Sequence, residues 1–172
     1  MSRNFIARVA GKFRQVAALV VSTGAPDADK IVATGPDGRL DASVLPVGIG
    51  VKITVAPAAE ALGAGALVNL YSDAGVLKAR LADNSNGRAA DGFVRTATAS
   101  AAEAEVYALD EVNAELSGLT PGAEYWLGTA GGVTATPLDA ADAINAGRMD
   151  QYVGKAKSAT ELVTTDAARV IL

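Results

Sequence analysis

From Val51 onward the chain never holds one periodicity for long. Val51, Ile53 and Val55 alternate with Lys52 and Thr54, and a Pro57-to-Gly65 segment rich in Ala and Gly then interrupts. Residues 66–71 and 76–81 read as two strands joined at Ser72-Asp73-Ala74-Gly75, an antiparallel hairpin. Further strands are expected at 93–97, 103–109, 123–127, 133–136, 152–156, 161–165 and 169–172. Alternation over a few residues marks half-buried strands, and clusters of Gly, Pro, Asn and Asp between them mark turns. Residues 137–148 read as a short helix or an irregular loop. Many short strands with such punctuation specify a mainly β body, a small antiparallel barrel or sandwich, over residues 51–172.

The first fifty residues follow another pattern. Ile6, Val9, Phe13, Val16 and Val20 are spaced 3-4-3-4, which predicts an amphipathic helix over 3–21 with Arg8, Lys12, Arg14 and Gln15 mostly off the apolar stripe. Gly11 inside it costs some helix stability. Two placements are open: on the protein's own body, or as an arm on neighbouring subunits. A turn-rich connector, 22–29, leads to a short strand at Lys30-Ile31-Val32-Ala33. Gly35-Pro36-Asp37-Gly38 then turns the chain, and Asp41 caps one helical turn, 42–45, closed by Pro46. Gly48 and Gly50 mark a hinge, so 1–50 is expected to be helix and extended arm, and 51–172 the body.

Charge follows the same division. The net charge is −4, but Arg3, Arg8, Lys12 and Arg14 meet no acid in residues 1–20, which leaves −8 on the remainder. A basic arm on an acidic body argues against a body that binds nucleic acid broadly, and for an arm that meets an acidic surface. No apolar run reaches eighteen residues, so no membrane span is expected. Arg14 and Gln15 interrupt the first apolar region, so no cleaved signal is expected.

The residue inventory excludes much chemistry. The 172 residues include no cysteine and no histidine. That removes disulfides, thiolate and imidazole metal sites, and Ser-His-Asp or Cys-His catalysis. Leu62-Gly63-Ala64-Gly65 lacks the Lys-Ser/Thr of a phosphate loop. The oxygens of Asp73, Asp83, Asn84, Asn86 and Asp91 suit calcium in kind, but their spacing is not that of an EF-hand, and solvated turns account for them. Glu103 and Glu105 alternate with apolar residues and read as the wet face of a strand. The expectation is a protein that is not an enzyme and carries no metal or cofactor. Tyr125 and Trp126 point to opposite faces of their strand, one into the core and the other free to anchor a contact. A carbohydrate-binding module would need a broader aromatic platform than these two provide.

Residues 30–33 and 35–46 resemble a segment recurring in small virion proteins of tailed bacteriophages. Ala66-Leu67-Val68-Asn69-Leu70-Tyr71, Ala90-Asp91-Gly92-Phe93-Val94, the Leu116-to-Leu127 segment and Val153-Gly154-Lys155-Ala156 are similar to pieces of phage head decoration, or cement, proteins. The resemblance spans about residues 25–165, and similar β modules occur in tail fibres and other appendages. It implies a homo-oligomer, trimer or dimer, on the outer surface of the phage head. There it would bind the major capsid protein and reinforce the shell, without nucleic acid or membrane. The alternative is a tail-fibre, baseplate or other appendage component. Under this reading the assembly interface is expected at Arg3, Ile6, Arg8, Val9, Lys12, Phe13, Arg14, Val16 and Val20, with Ile31 and Leu40 on the extended arm and Trp126 on the body.

Overall fold

The structure is a computed structural model that describes residues 4–45 and 50–172. The chain forms two units, 1–50 and 51–172.

The first unit corrects the expected helix. Asn4–Val9 (β1) and Lys12–Ala17 (β2) form an antiparallel hairpin. Ala10 and Gly11 both take positive φ, 49° and 78°, the type I′ geometry that matches strand twist. The 3-4 spacing misleads because both hairpin faces carry apolar residues. Ile6 and Phe13 fall on one face, whereas Phe5 and Val16 pair on the other. Val9 pairs with Lys12 in the register, and Val20 lies beyond β2. Leu19 then bridges Val32 in parallel, so the strand expected at 30–33 is a single bridge. Asp41 does cap a single 3-10 turn, Ala42–Val44, by accepting from the Ser43 N–H at 2.9 Å. The closing Pro46 and the hinge residue Gly48 lie outside the described residues.

The second unit contains a five-stranded antiparallel sheet. Its strands are Ile53–Pro57 (β3), Leu67–Asp73 (β4), Val76–Leu81 (β5), Gly92–Val94 (β6) and Glu103–Ala108 (β7), in the order β3-β7-β6-β4-β5. A second sheet runs β10-β9-β11-β12-β8, with β13 also paired to β11. Its members are Val112–Asn113 (β8), Glu124–Leu127 (β9), Val133–Thr134 (β10), Met149–Ala156 (β11), Leu162–Thr164 (β12) and Arg169–Ile171 (β13). Residues 137–148 resolve into loop and one 3-10 turn, Ala143–Asn145.

Two apolar clusters set the layers. Leu67 and Phe93 from the first sheet meet Tyr125, Leu127, Val153, Ala156 and Leu162 from the second, which makes a sandwich core. On the other face of the first sheet, Ala56, Ala58, Leu62, Val68, Ala79, Val94, Ala104 and Val106 pack together. The alanines let that sheet curl tightly, and Ala58 bridges Ala79 across its two edges. The contact is one bridge and not a ladder, and Pro57 has no N–H to extend it, so the sheet stays open. The barrel alternative is therefore not realised, and a sandwich describes the body. Gly92 permits the close approach of β6 to β7, since a Cβ there would overlap the Tyr107 carbonyl oxygen.

Candidate functional site

Along Asn4–Arg8 side chains alternate between exposed and half-buried, whereas in β2 Val16 alone is half-buried. Phe5, Ala7 and Val16 are half-buried, whereas Ile6, Arg8, Phe13 and Gln15 are exposed. Ile6 is 75% exposed and Phe13 81%. The register sets Arg8 opposite Phe13 and Ile6 opposite Gln15, so one face presents an isoleucine, a phenylalanine and an arginine to solvent. Lys12 and Arg14, both exposed, fall on the opposite face with Phe5 and Val16. Among the described residues, none of Arg8, Lys12 and Arg14 forms an ion pair. Arg3 lies outside the described residues. The helix expectation thus grouped residues that the hairpin separates: Ile6, Arg8 and Phe13 share a face, and Val16 does not.

The remaining arm residues are spread out. Val20 is half-buried, and Ile31 and Leu40 are 54% and 50% exposed. The Ile31 backbone is engaged, its carbonyl accepting from the Leu19 N–H at 2.9 Å. Asp27 anchors the connector by accepting from Lys30 Nζ at 2.5 Å and from the Thr23 N–H and hydroxyl. The Lys30 bond, followed by those from Thr23, holds its carboxyl at a pKa of about 2.

On the body, Tyr125 is the core aromatic, and its hydroxyl accepts from the Thr120 N–H at 2.9 Å. Trp126 is half-buried on the opposite face, edge-on to Tyr152 at 5.7 Å. Two carboxylates of the oxygen-rich loop, Asp83 and Asp91, are engaged by the fold itself. Asp91 accepts from Asn69 Nδ2, the Leu70 N–H and Arg169 Nη2. Asp83 accepts from Ser85 and the Ala130 N–H; burial raises its pKa, and these bonds outweigh that and lower it. Among the described residues no three His, Cys, Asp or Glu side chains converge as a metal site would require.

Sequence reasoning missed one surface. The outer face of β3 and β7 carries Ile53 and Val55, 44% and 59% exposed, beside exposed Glu103 and Glu105. The alternation of Val51, Ile53 and Val55 suggested that they point inward. The structure instead buries Ala56 and turns these residues out. A shallow groove of about 420 Å³, lined by Thr96, Thr98, Glu103, Glu105 and Tyr107, adjoins them. The clue was present in β7, where Ala104 and Val106 alternate with the two glutamates. The register carries that polarity across to β3.

No family model and no curated protein matches the chain. Among solved structures, the N base of the head fiber gp8.5 of bacteriophage phi29 overlays with a TM-score of 0.45 at 13% identity, over 67% of this chain and 95% of that one. No role is carried over from an overlap of that extent.

Proposed function

We propose that this chain is a structural protein of a tailed-phage virion. In this reading it sits as a homo-oligomer on the outer surface of the head, binds the major capsid protein and stabilises the shell by bridging neighbouring capsid subunits. The observation that carries the reading is the N-terminal hairpin. A two-stranded sheet is marginal in water by itself, and this one leaves Ile6 and Phe13 exposed beside cations that form no ion pair among the described residues. Such an element is completed by assembly. The likeness of residues 25–165 to head decoration proteins supplies the setting. Repetition makes the arrangement effective, because linked copies on a lattice turn weak contacts into strong attachment. No nucleic acid, membrane or cofactor enters this reading.

The test compares the full chain with a chain lacking residues 1–21 for binding to particles stripped of the protein. Deletion is expected to weaken binding by tenfold or more, with the body still folded by circular dichroism. Equal binding by the two chains would sink the proposal.

A further inference from the structure

Two exposed apolar surfaces among the described residues are complementary in charge. The hairpin face offers Ile6 and Phe13 with Arg8 and Gln15, and Lys12 and Arg14 add positive charge on the opposite face. The β3–β7 face offers Ile53 and Val55 with Glu103 and Glu105. Its register places Ile53 beside Tyr107, Val55 beside Glu105 and Pro57 beside Glu103, so apolar and acidic groups lie in adjacent rows. Among the described residues neither glutamate forms an ion pair. The Tyr107 ring already holds a guanidinium, that of Arg95, at 4.2 Å. The adjoining groove is open and lined by threonines and the two glutamates, room for an aromatic ring with a cation alongside.

We propose that the hairpin of one copy docks on the β3–β7 face of a second copy of this chain. Ile6 and Phe13 lie against Ile53, Val55 and the groove, and Arg8, on the same hairpin face, lies near Glu103 and Glu105. Charge complementarity selects the occupant. The hairpin is wholly basic, whereas residues 51–172 hold fifteen acidic and nine basic side chains. Opposed fields of this kind speed encounter and fix register. Every copy carries both halves of the contact in equal number. Because the two surfaces differ, reciprocal exchange closes a dimer, and a cyclic repeat closes a trimer or larger ring. The proposal rests on the assembly reading of the hairpin above but not on the virion setting.

The experiment is sedimentation velocity on the full chain over a wide concentration range, at low and high salt. A closed oligomer that loosens with salt is expected. Ile6→Ser with Phe13→Ser should weaken association about tenfold or more. Arg8→Glu, and separately Glu103→Arg with Glu105→Arg, should each weaken it by about tenfold. All these side chains are exposed, and an unchanged melting temperature checks the fold. Mixing the two charge-reversed proteins should restore association, since each hairpin then finds an oppositely charged body on the other protein. A wild-type chain that stays monomeric throughout overturns the proposal, whether its hairpin folds back on its own body or awaits another protein. An oligomer indifferent to these substitutions, or a mixture that fails to associate, overturns it equally. Either result leaves particle binding to be decided by its own experiment.

Discussion

Gln151 is fully buried in β11, and its amide acts as a piece of strand. Nε2 donates to the Ala90 carbonyl at 2.9 Å, and Oε1 accepts from the Ala90 N–H at 2.8 Å. The side chain so ties the second sheet to the segment leading into β6. Gln151→Leu keeps the volume but leaves a buried N–H and C=O unpaired, and should destabilise the protein by about 2–4 kcal/mol in urea unfolding. Sequence could not reveal this partner, 61 positions away. Local chemistry was legible, as Asp41 capping its turn illustrates. Asp27 gives a pH prediction. Its folded pKa of about 2 lies below the ordinary carboxylate value, so the bonds to Lys30 and Thr23 favour the folded connector fully above about pH 4. That contribution fades as pH falls through about 2. Carboxyl-detected NMR should give Asp27 a midpoint near 2, and a midpoint near 4 would show the network to be absent.

The hairpins make the main lesson at the level of elements. Ala74-Gly75 joins β4 to β5 with φ of 50° and 84°, and Ala10-Gly11 joins β1 to β2 with nearly the same pair. The same dipeptide is legible as a turn in the first case, because clean alternation and Ser72-Asp73 surround it. In the second case it is hidden, because apolar residues lie on both faces and mimic a helical stripe. Gly11→Val places a β-branched residue at positive φ and should cost the hairpin about 1–2 kcal/mol. Loss of the NMR cross-peaks between Phe5 and Val16 would register it. β3 starts two residues beyond the alternation that begins at Val51, and its Ile53 and Val55 face out, because alternation marks a strand without saying which face is wet. Only the pairing to β7, some fifty residues later, decides that.

Over the whole molecule, both apolar clusters lie within residues 51–172. A chain beginning at Val51 should therefore unfold in one cooperative transition, followed by calorimetry. Phe93→Ala within that chain should cost about 3–5 kcal/mol, since the ring is fully buried between the sheets. The mainly β class and most strand positions could be read from alternation and turns. The choice between sandwich and barrel could not, because it turns on whether the edges of one curled sheet join by a ladder or by the single Ala58–Ala79 bridge. The exposed apolar residues of the hairpin and of the β3–β7 face suit a protein completed by its neighbours. Symmetry-resolved cryo-electron microscopy of the native particle tests that claim most directly. Density for this chain is expected at regular sites on the head exterior, with copies joined through residues 4–17. Density confined to the tail, or a particle without the chain, would contradict it.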